Sequence, residues 1–192
     1  MANNARRTFV GKPSPAGGIL YAPVGTPLPT DEEMELNAAF VALGYQHKDG
    51  FKIKPERSTA TQTAWGTDMV DESQESFAVT ATFIMIETLG VDANKIAFGA
   101  ANVSHTPATS TSGLKVASRL TADDLDHNSW VVRGKSNKKT ARWVIPDGKP
   151  VAVDEIAWSD SELEGYSITL SCSPDENGVY VYRYTCDGVT TL

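Results

Sequence analysis

The chain has 192 residues, which at roughly 150 residues per domain is one domain. Seventeen Lys and Arg against 24 Asp and Glu give a net charge of −7, the wrong sign for a protein that grips nucleic-acid phosphates with clustered cations. Apolar residues make up 41%, enough for a core, and no apolar run approaches the roughly 18 residues of a membrane-spanning helix.

Val (16) and Thr (19) outnumber Leu (11), a bias toward pleated sheet. Residues 1–16 read as a flexible N-terminal arm of a single domain, 1–192. Arg6-Arg7 is followed by Gly11-Lys12-Pro13 instead of the apolar stretch of an export signal, so folding in a cytoplasm is expected. Ile19-Leu20-Tyr21, among prolines, suits an edge strand. Thr30-Asp31-Glu32-Glu33 has the form of a capping box and predicts a short helix from Met34 to Leu43, closed by Gly44. Asp49-Gly50, with Tyr45 and His47 before it and Phe51 and Ile53 after, predicts a hairpin.

Ser58 to Trp65 reads as a Thr-rich strand turned by Gly66-Thr67-Asp68. Met69-Val70 and Phe77 to Ile86 read as strand, with Phe77, Val79, Ala81, Phe83 and Met85 on one face. The polar stretch Asp71 to Ser76 between them is an exposed loop or the tip of a long hairpin. Asp92 to Phe98 reads as a two-turn helix, N-capped by Asp92 and stopped by Gly99. Ser104 to Gly113 reads as a loop. From Ser129 the pattern is an antiparallel meander. Trp130 and Val132 face Ala141 and Trp143 across a Ser136-Asn137 turn, and Pro146-Asp147-Gly148 turns the chain into Val151 to Trp158. The last two strands are Tyr166 to Ser173 and the run ending at Cys186. Strands at this spacing imply a mostly β fold: an antiparallel β-sandwich or barrel of about 8–10 strands with one or two short flanking α-helices.

Pairing the last two strands about Glu176 sets Leu170 opposite Tyr182 and Cys172 opposite Tyr180, with the large apolar residues on one face. Cys186 then lies about 20 Å from Cys172, too far for a disulfide, and two free, mostly buried thiols are expected.

No motif for chemistry stands out. His47, His105 and His127 lie in separate segments, without zinc-ligand spacing. Asp123-Asp124-Leu125-Asp126-His127 lacks the alternation and glycine of a calcium loop. Gly134-Lys135-Ser136 has Ser129 where a phosphate loop needs its first glycine. Asp154 with Glu155, and Asp160 with Glu162 and Glu164, read as solvated faces before they read as a glycosidase pair. No enzyme activity, cofactor or metal is expected.

The order of several short signatures is more specific. Val10-Gly11-Lys12-Pro13 leads into Gly17-Gly18-Ile19-Leu20-Tyr21-Ala22-Pro23-Val24-Gly25-Thr26. Leu43-Gly44-Tyr45 is followed by Asp49-Gly50, and Ala64-Trp65-Gly66 by Asp68. Phe83 to Leu89 runs into a helix, and Ile145-Pro146-Asp147-Gly148 and Pro174-Asp175 come near the end. In these the chain resembles the major tail tube proteins of long, non-contractile-tailed bacteriophages. The resemblance implies a β-sandwich subunit that forms hexameric rings. Such rings stack into a tube around a tape measure protein, and a tail terminator and tail-tip proteins close its ends. Inner strands of six subunits line a lumen through which DNA passes without specific binding, while the arm and a long loop reach neighbouring rings. The expected location is the virion tail, after assembly in the host cytoplasm and without membrane contact. A cell-surface or pilus-type β-sandwich and a carbohydrate-active enzyme are the rival readings. Within the tube reading, Asp68, Asp71, Glu72 and Glu75 form a candidate luminal or inter-ring acidic cluster, because a conduit for DNA works best without cationic rows.

Overall fold

The computed structural model describes residues 7–14 and 17–189. Its elements are β1 (Lys12–Pro13), β2 (Ile19–Pro23), β3 (Val41–Ala42), β4 (Lys52–Thr63), β5 (Met69–Met85), α1 (Val91–Phe98), β6 (Val103–Thr106), β7 (Lys115–Ser118), β8 (Asn128–Ser136), β9 (Lys139–Val153), β10 (Tyr166–Ser173) and β11 (Tyr182–Cys186). Strands account for 46% and helices for 7%, so the fold is mostly β, as expected.

Nine strands form one antiparallel sheet in the order β3-β2-β8-β9-β10-β5-β4, with β1 added beside β8 and β11 beside β9. The other two, β6 and β7, pair with each other. The large sheet curls strongly. Phe83 on β5 and Trp130 on β8 belong to strands separated by two others, yet their ring centroids are 5.6 Å apart. A flat sheet would hold those strands about 14 Å apart. Inside the curl, Trp130, Phe83, Met85, Ile145, Ile168 and Leu170 are fully buried, and α1 adds Ala93, Ile96 and Ala97. On the opposite face Leu20, Ala22, Val131 and Val144 are covered by Phe40, with Leu28 and Leu36 packed beside them.

Strand β9 makes the curl possible. Between its pairs with Asn128 and Trp130 it carries one residue more than β8, and Val151 is an extra residue opposite Thr169 and Leu170. These bulges accommodate Pro146 and Pro150 inside a central strand, where proline otherwise breaks the ladder. The carbonyls at the first bulge find side-chain donors: Ser129 Oγ donates to Pro146 O at 2.6 Å and Trp130 Nε1 to Gly148 O at 2.8 Å. A Cβ on Gly148 would lie 2.9 Å from the indole, so glycine is needed there for close approach. Pro146-Asp147-Gly148 is therefore a bulge within one long strand and not the expected turn. Val132 does face Trp143, but Trp130 faces Ile145 and Ala141 faces Gly134. The strand expected from Val151 to Trp158 ends at Val153.

Four further expectations are corrected by tertiary context. Met34 to Leu43 is not helical: it is irregular as far as Phe40 and then forms β3. The Asp31 carboxylate accepts the backbone N–H groups of Glu33 and Met34, and Asn37 Oδ1 accepts that of Ala39. These local bonds compete with a helical ladder, and they let Leu36 and Phe40 reach the sheet. Asp49-Gly50 does not join two paired strands. His47 N–H donates to Ile84 O, and β4 then pairs with the same strand, Lys52 opposite Thr82. Ser104 to Gly113 is loop only in part, since its first residues belong to β6. Helix α1 begins after Gly90 without a side-chain cap; Asp92 instead accepts from Tyr21 Oη at 3.0 Å.

The β10–β11 pairing is also corrected. One edge of β10 holds β5 and the other holds β9, so no edge remains for β11. It pairs with β9 instead, Tyr182 opposite Val144. Cys172 lies opposite Gly148 and Cys186 opposite Thr140, about 26 Å apart along β9. Both cysteines are free, Cys172 buried and Cys186 half-buried. Burial, and then Asp147, pushes the Cys172 thiol up to about 11.

Of the expected arm, residues 1–6, 15 and 16 lie outside the described residues. Lys12 and Pro13 pair with Lys135 and Gly134, and Phe9 lies over Gly134.

Candidate functional site

Strand β4 pairs along its full length with β5, from Lys52 opposite Thr82 to Thr63 opposite Met69. Only the lower half rests on the core. There Val79, Ala81, Phe83 and Met85 point inward in strict alternation, as their spacing predicts. From Ser58 and Ser76 outward, every residue of both strands is exposed except the half-buried Ala60. The upper half thus extends the hairpin about 20 Å beyond its support. Asp71 to Ser76, expected as a loop or a tip, is a strand within this arm. Extra β5 residues at Glu75 and Val70 shift the register twice, and such bulges increase twist.

All four residues of the acidic cluster lie on this arm. Asp68 closes the tip, its carbonyl accepting Ala64 N–H at 2.8 Å. Asp71 Oδ1 accepts Glu72 N–H, and Glu75 accepts Ser58 Oγ. Among the described residues none of the four makes an ion pair, although Lys54 pairs with Glu56 at 2.5 Å lower on the same hairpin. Arg57 sits at the waist, over the Phe77 ring at 4.2 Å and donating to Gln74 Oε1 at 2.6 Å.

The tip itself is apolar. Thr67 N–H donates to Ala64 O across Trp65 and Gly66, and Gly66 has φ of 111°, as a turn with glycine at its third position requires. Thr67 follows at φ 74°, uncommon for a β-branched residue. This geometry leaves Trp65 106% exposed, with Met69 at 66% and Val70 at 64%. Large apolar side chains gathered at the end of an arm are unusual on a monomer's surface.

At the foot of the hairpin lies a groove. It consists of two adjoining hollows of about 330 and 540 Å³ that share Phe51 and Trp143. Phe9 and Lys12 reach the first hollow from the N-terminal segment, and Lys48 from the turn before β4. Phe77 and Tyr180 wall the second, their rings edge to face at 5.1 Å. Arg183 stacks over Trp143 at 5.0 Å. His47 faces its own Asp49 at 3.2 Å. Lys12 and Lys48 have no carboxylate in ion-pair range among the described residues. The groove is aromatic in its floor and cationic at its rim.

The four acidic residues read from the sequence all lie on this arm, but strung along about 20 Å of it from Asp68 at the tip to Glu75 at the waist, with Asp71 and Glu72, neighbours in the ladder, on opposite faces. The sequence does not reveal the groove, because Phe9, Phe51 and Trp143 come from three separate segments. The usable signal for the tip is an aromatic residue just before a Gly-Thr-Asp turn, where side chains point outward.

In the other polar clusters several members are bonded within the chain. His127 Nδ1 lies 2.6 Å from Asp147 Oδ1, and Asp124 pairs with Lys149 at 3.2 Å. Asp154 accepts Ser167 Oγ, and Glu164 accepts Thr88 Oγ1 and Trp158 Nε1. Among the described residues, no three His, Cys, Asp or Glu side chains are grouped to hold a metal ion, and no helix is long and apolar enough to cross a membrane.

No protein-family model and no curated protein matches the chain. Among solved structures, it is similar to the cap that terminates the tube of the anti-feeding prophage, determined by cryo-electron microscopy. The TM-score is 0.48 at 11% identity, over 97% of this chain and 100% of the cap protein. At that distance the likeness identifies neither a family nor an activity.

Proposed function

We propose that the chain is a self-assembling structural subunit of a phage-type tail, most simply a tube subunit whose rings stack around a tape measure protein and conduct DNA. The observation that carries the assembly reading is the hairpin arm. About 20 Å of paired strand with an apolar tip has nothing to fold against among the described residues, whereas a neighbour would bury it. The open sheet supports the same reading. Strand β4 is a 12-residue edge, and long exposed edges are a liability unless a partner covers them. The tail reading rests on the ordered signatures from Val10 to Asp175, and the net charge of −7 is compatible with a conduit that does not hold DNA.

The test is electron microscopy of the purified full chain across a concentration series. Rings or tubes with an axial channel are the expected result. A protein that stays monomeric up to millimolar concentration, alone and with tail-tip components, overturns the assignment.

A further inference from the structure

The hairpin tip and the groove are complementary in chemistry and sit at opposite ends of one element. The tip is an exposed indole flanked by Met69 and Val70, with Asp68, Asp71 and Glu72 behind it, none of them ion-paired among the described residues. The groove is an aromatic hollow of about 330 Å³, with Lys12 and Lys48 at its rim and Arg183 over its Trp143 wall. One aromatic side chain in a hollow, ringed by opposite charges, is the usual make-up of an interface hot spot.

The tip cannot fill its own groove. Trp65 lies 14 positions beyond Phe51 in sequence, about 45 Å of extended strand. The β4–β5 ladder between them is continuous apart from its two bulges. The occupant must be the tip of another molecule with the same chemistry, and a second copy of this chain supplies it.

Resting on the assembly reading above, we infer that the Trp65 tip of one copy seats in the Phe51–Trp143 groove of the next, with Asp71 and Glu72 of the first against Lys12 and Lys48 of the second. The contact is heterologous: it joins a hairpin tip to a hairpin base, so each copy offers one of each. Placed between stacked rings, such contacts propagate in one direction and leave a ring of free tips at one end and a ring of free grooves at the other. The acidic cluster thereby serves contact between copies and not the lumen. Desolvation of the indole supplies affinity, while the charges set register and make assembly salt-sensitive.

The test uses the full-length chain. Trp65→p-benzoylphenylalanine is photolysed in assemblies mixed from isotopically light and heavy copies. The expected crosslinks join position 65 of one copy to peptides carrying Phe9, Phe51 or Trp143 of another. In parallel, Lys12→Glu with Lys48→Glu, and separately Asp71→Lys with Glu72→Lys, each raise the critical assembly concentration by roughly tenfold or more. All four substitutions in one chain return it to near the parent value, an outcome that generally disturbed folding cannot produce. If the parent assembles but crosslinks fall only outside the groove, or the fourfold variant shows no rescue, the docking is overturned and the assembly reading stands. If the parent does not assemble at all, both fall.

Discussion

Asp175, half-buried, organises the turn between β10 and β11. Its carboxylate accepts Tyr182 Oη at 2.6 Å and the backbone N–H groups of Asn177 and Val179, each at 2.9 Å. The Tyr182 bond, then the backbone bond from Val179, holds this carboxyl below its ordinary 3.8, because donors favour the charged form. A depressed folded-state pKa contributes stability that is present above the unfolded value and is lost as pH falls through the folded one. Asp175→Asn keeps an acceptor for the backbone but removes the charge. The parent should therefore melt higher than the variant near pH 6, and the gap should close as pH drops below the ordinary carboxylate range. Melting curves across pH 2.5 to 6 check this; a gap that persists at the acid end would show that the bonds do not depend on ionisation. With both edges of β10 already occupied, the same turn carries the chain on to β9. The turn that Asp175 ties places Tyr182 beside Val144, whereas the residue pattern alone is equally satisfied by a simple hairpin.

At the scale of elements, the β4–β5 hairpin divides at Ser58 and Ser76. Residues below that pair are tied to the core through Val79 to Met85, and those above contact mainly each other. Replacing residues 59–75 with Asn-Gly, a two-residue hairpin turn, should leave the melting temperature within a few degrees of the parent, since exposed substitutions cost little. The same excision should abolish assembly. Circular dichroism and light scattering on one sample read both, and a collapse of the melt would show that the arm belongs to the core. This division was partly legible in sequence. Alternation from Phe77 to Met85 marked the buried half, and its absence from Asp71 to Ser76 marked the exposed half. The meander was legible only where one edge of a strand mattered. β9 serves β8 along one edge and both β10 and β11 along the other, and no local pattern encodes a strand shared three ways. Its Pro146 reads as a turn because the bulge that accepts it is held by Ser129 and Trp130, about 17 residues away in sequence. The helix expected at Met34 failed for a related reason. Its Leu36 and Phe40 have helical spacing, but the outer face of the sheet offered them more burial than a short isolated helix could, and such helices are marginal alone. The groove was not legible at all, for it exists only once three distant segments converge.

At the scale of the whole molecule, a tip-to-groove contact gives the assembly a direction, and direction is testable without atomic detail. A Trp65→Ser copy keeps its groove and loses its tip. It can accept a parent tip but presents nothing competent to the next copy, so it terminates growth at one end. A copy carrying Lys12→Glu and Lys48→Glu keeps its tip and loses the rim of its groove, so it terminates the other end. Either variant, added at about one part in twenty to the parent, should shorten the assemblies beyond simple dilution, because a ring that carries a defective copy offers the next ring an incomplete set of tips or grooves. The two added together should shorten them further, since they act at different ends. Mixed with each other and no parent, they should stop at a pair: the intact tip of the second fits the intact groove of the first, and the remaining tip and groove are the damaged ones. Length distributions from negative-stain images read the first effect, and sedimentation at low salt reads the second. An isologous contact, in which one patch meets itself, predicts a different pattern, because each variant would then weaken both sides of every contact and the pair would not form. Equal lengths with and without the Trp65→Ser copy would remove the hairpin tip from the growth mechanism.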